Sequence, residues 1–106
     1  MADKEFIKYL DENGNERLRL RIKIDKGQVV DLVVQYESYI DKKWRPILRY
    51  DCAHGFFHRD ILNSSGEQEK QVIAIENLND ALLYAEQDLK DRWQQYKKEY
   101  IKHMRK

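Results

Sequence analysis

Two of the three histidines, two arginines, two aspartates and the single cysteine fall within twelve residues, Arg49-Tyr50-Asp51-Cys52-Ala53-His54-Gly55-Phe56-Phe57-His58-Arg59-Asp60. Imidazole titrates near neutral pH, so a clustered pair suits proton transfer, metal binding or phosphate contact. On a continuous strand His54 and His58 would share a face ~13 Å apart, too far for one proton path or one ion. Gly55 changes that, because it takes turn conformations and can fold His54 back. A tight turn over residues 52–55 places Asp51 opposite Phe56, Tyr50 opposite Phe57 and Arg49 opposite His58. His58, Asp60 and Arg49 are then expected on one face, with His54 above them.

Three chemistries fit this face. In a metal-independent ribonuclease, His54 and His58 share the acid and base roles, and Asp51 or Asp60 orients an imidazole. Arg49 or Arg59 then offsets phosphate charge. A metal site could draw on His54, His58 and Asp51 or Asp60, but no recognised ligand spacing supports it, so neither metal nor cofactor is expected. The third option is structural, a hydrogen-bonded His–Asp or Arg–Asp hairpin that pins the turn. Cys52 adjoins a turn histidine without any other activating neighbour, and it is not expected to be a nucleophile.

The elements that must position this cluster are legible from periodicity. Phe6 to Leu10 reads as a short strand, and Asn13-Gly14 suits a type I′ hairpin turn. From Glu16 to Ile24 the alternation is clean: Leu18, Leu20, Ile22 and Ile24 face one way, Arg17, Arg19, Arg21 and Lys23 the other. That basic row could track a phosphate backbone, or simply be a solvated outer face. Further strands follow at Val29–Ile40, Trp44–Tyr50, Phe56–Leu62 and Gln71–Ile75. Pro46 argues for an edge or an irregular start to its strand.

Helix is predicted from Asn77, a good N-cap with Asp80 three residues on. Leu78, Leu82, Ala85, Leu89, Trp93, Tyr96 and Tyr100 recur at spacings of three and four, one stripe over about six turns. The fold class is thus α+β: an antiparallel β-meander of five or six strands (residues 5–75) and one long C-terminal helix (residues 77–105), a single domain over 1–106. A helix of that length measures ~43 Å, whereas strands of about six residues span ~20 Å. Half the helix is therefore expected to overhang. Trp93, Tyr96 and Tyr100 become a candidate interface, pointing to a homo-oligomer through the C-terminal helix.

Bulk properties bound the rest. The chain of 106 residues carries 20 basic and 19 acidic side chains, so its net charge of +1 neither demands nor excludes nucleic acid. One cysteine excludes an internal disulfide and fits a reducing cytoplasm. No apolar run approaches the ~20 residues that span a bilayer, so no membrane association is expected.

Tyr50-Asp51, His54-Gly55 and His58, followed by a turn, a strand and the capped helix start Asn77-Leu78-Asn79-Asp80-Ala81-Leu82, resemble the small TumE-type toxins of prokaryotic toxin–antitoxin pairs. The same stretch resembles still more closely a set of uncharacterised small prokaryotic proteins carrying Arg-Tyr-Asp-x-Ala-His-Gly-x-x-His-Arg-Asp. The likeness runs from about Val30 to Leu89. Asp60 stands where the toxins have the second histidine of a His-x-His. The resemblance implies a toxin–antitoxin or defence context, action on RNA, and a cognate antitoxin as partner. The alternative is a non-catalytic binding or assembly protein that works through its helix.

Overall fold

Six strands form one antiparallel sheet in strict chain order, and a single helix follows them. The computed structural model describes residues 2–52 and 55–104. The strands are β1 (Ala2–Tyr9), β2 (Glu16–Asp25), β3 (Gln28–Ile40), β4 (Lys43–Asp51), β5 (His58–Leu62) and β6 (Gln68–Val72); the helix is α1 (Leu78–Met104). The expected meander and its final helix are both present.

Alternation dictates which face is covered. Leu18, Leu20 and Ile22 of β2, Leu32, Val34 and Tyr36 of β3, and Leu48 and Tyr50 of β4 are buried in one core with Ala81, Ala85 and Leu89 of α1. The two alanines let the helix approach the sheet closely, and each large aliphatic side chain buried there contributes about 1.5–3 kcal/mol. Asn77 caps the helix as anticipated: its Oδ1 accepts from the backbone N–H of Asn79 (2.9 Å) and of Asp80 (3.2 Å).

The helix runs alongside β3 in the same sense. Near its start, Asn79 Oδ1 accepts from the Val29 N–H and its Nδ2 donates to Gln28 Oε1. Further on, Trp93 meets Tyr36 edge-on at 6.3 Å. The expected overhang is corrected. At 13 residues, β3 spans ~43 Å, and the 27-residue helix ~40 Å, so the two lie along each other.

Turn chemistry also departs from expectation in places. Residues 10–15 form a longer loop in which Gly14, not Asn13, takes positive φ. Asp11 Oδ1 holds that loop by accepting from the N–H groups of Asn15 and Glu16. Two-residue left-handed turns occur instead at Lys26-Gly27 and Asp41-Lys42, whose φ signs match the I′ geometry that suits strand twist. β4 is internal rather than an edge. Pro46 is tolerated because the β3–β4 register shifts beside it, between Tyr36 and Glu37. The last strand begins at Gln68, three residues before the expected Gln71.

Candidate functional site

Directly paired residues in an antiparallel sheet share a face. On the face away from the helix, two rows therefore cross all six strands. One reads Glu5, Arg21, Val33, Asp51, His58, Val72; the next reads Ile7, Arg19, Gln35, Arg49, Asp60, Lys70. Asp51 pairs with His58, and Arg49 with Asp60. The register is thus two residues away from the expected one, because the β4–β5 connection is longer than a tight turn. A slip of two preserves face, so Arg49, His58 and Asp60 do stand together, and Asp51 joins them.

His58 is held on both sides. Its Nδ1 lies 3.1 Å from the Phe56 carbonyl oxygen, and its Nε2 lies 2.6 Å from Asp51 Oδ1 and 3.6 Å from Asp60 Oδ2. A carbonyl oxygen only accepts, so Nδ1 carries a proton and Nε2 is the nitrogen turned to the carboxylates. His58 and Asp60 are buried, with 4% and 5% of their surfaces exposed. Asp51 is more open, and it lines a trough of about 710 Å³ together with Arg49, Gln35, Val33, Arg19, Arg21 and Glu5. His54 lies outside the described residues.

The basic row of β2 meets acidic neighbours. Arg17 Nε donates to Glu37 Oε1 at 2.8 Å, and its guanidinium stacks 3.7 Å from the centre of the Trp44 ring. Arg21 Nε donates to Glu5 Oε1 at 2.8 Å, and Lys23 is paired in register with Asp3 and Asp31. Arg19 is also open, its side chain 60% exposed and 3.7 Å from Glu37 Oε2. Arg49 Nε donates to Gln35 Oε1 (2.9 Å), while Gln35 Nε2 donates to Glu37 Oε2 (2.7 Å). Gln35 thereby fixes Arg49 beside the trough, a role sequence reading did not assign.

Arg59 does not join the site. Strand alternation turns it to the helix side, where its Nη1 donates to Tyr50 Oη (3.2 Å) and Tyr96 Oη (3.1 Å) and lies 3.4 Å from Asp88 Oδ2. The Tyr50 and Tyr96 hydroxyls both donate to that same Asp88 oxygen. Burial, reinforced by Asp88, pushes both phenols well above the usual tyrosine range. Arg59, expected beside phosphate, thus stands in a cluster between helix and sheet, apart from Asp51, His58 and Asp60. Of the candidate interface rings, Trp93 packs on Tyr36, Tyr96 belongs to this cluster, and Tyr100 is buried in the core.

Cys52 is likewise occupied. Its thiol donates to Asp31 Oδ1 at 2.8 Å, and burial, with Asp31 next, pushes its pKa up to about 11. At pH 8 the folded chain should react with a thiol reagent about a hundredfold more slowly than the urea-unfolded chain. Equal rates would contradict the Cys52–Asp31 bond.

A family-wide sequence model described as a domain of unknown function, DUF7718, matches residues 1–106. The chain belongs to the DUF7718 family. No curated protein and no solved structure matches it. Membership agrees with an uncharacterised family and takes in the whole DUF7718 sheet and helix, beyond the Val30–Leu89 stretch of the sequence resemblance. No helix among the described residues is long and apolar enough to cross a membrane.

Proposed function

We propose that this protein is a toxin-like component of a prokaryotic toxin–antitoxin or defence module and that it acts on RNA at the open face of its sheet. One observation carries the reading: Asp51, fixed by the buried His58, opens onto a trough flanked by Arg49 and Arg19. A carboxylate beside two guanidinium groups suits a phosphodiester, since the cations offset the charge that builds on the phosphoryl oxygens while the carboxylate accepts a proton. In this reading Asp51 removes the proton of the 2′-hydroxyl, which attacks the adjacent phosphorus. His54 gives a proton to the departing 5′-oxygen, leaving a cyclic phosphate and a free hydroxyl. His58 acts as a positioning residue for Asp51.

The assembly reading draws less support, because Trp93, Tyr96 and Tyr100 are engaged with the chain's own sheet. Induction of the wild-type chain in a bacterial host without a cognate antitoxin should arrest growth, and the purified chain should cleave single-stranded RNA. Asp51→Asn should lower cleavage about 100-fold or more, and Arg49→Ala should weaken RNA binding at low salt, with both variants soluble and folded. A wild-type chain that neither arrests growth nor cleaves or binds RNA would retire this function.

A further inference from the structure

Asp51, His58 and Asp60 each offer one ligand atom, and these atoms lie within 4.8 Å of one another. Their arrangement leaves a specific deficit. With its Nδ1 proton held by the Phe56 carbonyl, His58 directs Nε2 at two carboxylates, so this nitrogen needs a positive partner there, either a second ring proton or a metal cation in its place. In addition, Asp60 Oδ1 is buried with no hydrogen-bond partner among the described residues. A buried carboxylate oxygen left in that state is costly. A cation between the three groups takes the place of the proton on Nε2, and it reaches the orphaned Asp60 Oδ1 when that carboxylate binds through both of its oxygens.

The geometry points to a divalent first-row metal site formed by Asp51, His58 and Asp60, of the Zn²⁺ or Mn²⁺ class. One imidazole and two carboxylates form a mixed nitrogen and oxygen donor set that suits these ions. The Phe56 carbonyl supplies the contact that metal-bound histidines need at their other ring nitrogen, where it fixes tautomer and ring orientation. Ligand bonds of about 2.0–2.2 Å place neighbouring donor atoms roughly 3–3.5 Å apart. The 3.6 Å from Nε2 to Asp60 nearly meets this already; the 2.6 Å from Nε2 to Asp51 must widen by about 0.7 Å as the ion replaces the direct contact. Gln35 keeps the Arg49 guanidinium tethered toward β3. Asp51 leaves the ion open to the trough, so an anionic ligand can reach it.

The site is the one proposed above to act on RNA, and its substrate-side role rests on that reading; metal binding itself does not. Calorimetric titration of the full chain with ZnCl₂ and with MnCl₂ should show one ion per chain, with a Kd of about 10 µM or tighter for at least one of them. Asp60→Asn and His58→Gln should each weaken binding at least tenfold with the far-UV spectrum unchanged. Should either variant fail to fold, Mn²⁺ added to the isotopically labelled wild-type chain should broaden amide signals around Asp51, His58 and Asp60, not those around His103.

No stoichiometric binding of either ion, or broadening centred elsewhere, would overturn the site. Metal binding by a chain that neither cleaves nor binds RNA, with or without the ion, would leave the site standing and remove the RNA function. RNA cleavage by a chain that binds neither ion would remove the site and leave that function.

Discussion

Replacing Asp88 with alanine should destabilise the fold by about 3–5 kcal/mol, measured by urea unfolding, because the substitution strands the largely covered Arg59 guanidinium together with the buried Tyr50 and half-buried Tyr96 hydroxyls. Arg59, Tyr50 and Tyr96 converge on one oxygen of this carboxylate. The Arg59 and Asp88 side chains are 17% and 7% exposed, so water can replace little of what is lost. Domains of this size are commonly stable by only about 5–15 kcal/mol, and the variant should sit near the edge of folding at 37 °C. Asp88→Asn, which keeps an accepting oxygen but loses the charge, should cost less. Arg59→Met combined with Asp88→Asn should cost about 1–3 kcal/mol less than the sum of the single changes, as expected of groups in direct contact. A loss under about 1 kcal/mol for Asp88→Ala would mean that the cluster is not what clasps the helix to the β4–β5 end of the sheet.

Alkaline conditions should unfold the protein unusually early. Tyr36, buried and donating to Glu16 Oε1 at 2.7 Å, is pushed far above the ordinary phenol range, first by burial and then by that carboxylate. Tyr50 is raised in the same way beside Asp88. In each case the folded chain holds the proton more tightly than the unfolded chain. Stability is therefore complete below the unfolded tyrosine value near pH 10, and it is lost as pH rises from there toward the folded values. Each buried phenol contributes a slope of about 1.4 kcal/mol per pH unit in that window, and the half-buried Tyr96 adds less. Thermal melts between pH 9 and 12 should show Tm falling steeply from about pH 10. Phenolate absorbance should appear with unfolding rather than before it. Ionisation of all seven tyrosines in a still-folded chain would contradict the two buried hydroxyl–carboxylate pairs.

Much of this architecture could be read from residue order, and the misreadings have physical causes. The alternation in β2 and the three-and-four spacing of α1 are strong signals because each element buries a single face. The length of β3 was legible too, since the expected Val29–Ile40 falls one residue short of Gln28–Ile40. The overhang arose from setting the helix against strands of about six residues, although Asp31, Gln35 and Glu37 sit on the open face of this longer strand without breaking it. The Asp51–His58 register depended on a connection whose length no local rule specified.

Arg59 could have been placed correctly. Neighbours along a strand point to opposite faces, so a residue next to His58 cannot share its site. The neutralisation of the β2 arginines was also partly visible, since Asp3 and Glu5 alternate at the spacing of Lys23 and Arg21. That Asp60 Oδ1 has no partner among the described residues was not visible at all, because it depends on three-dimensional packing around β5.

The strict neighbour-to-neighbour order of the sheet has a kinetic meaning. Strands pair only with their neighbours in the chain, so each ladder closes over a short loop at small entropic cost, and the sheet can zip from hairpin to hairpin. The helix comes after all six strands in the chain. During synthesis, Leu18, Leu20, Val34, Tyr36 and Leu48 therefore leave the ribosome ahead of the element that covers them. Until α1 docks, the nascent chain carries a bare apolar face, and that interval is when it most needs protection from its neighbours.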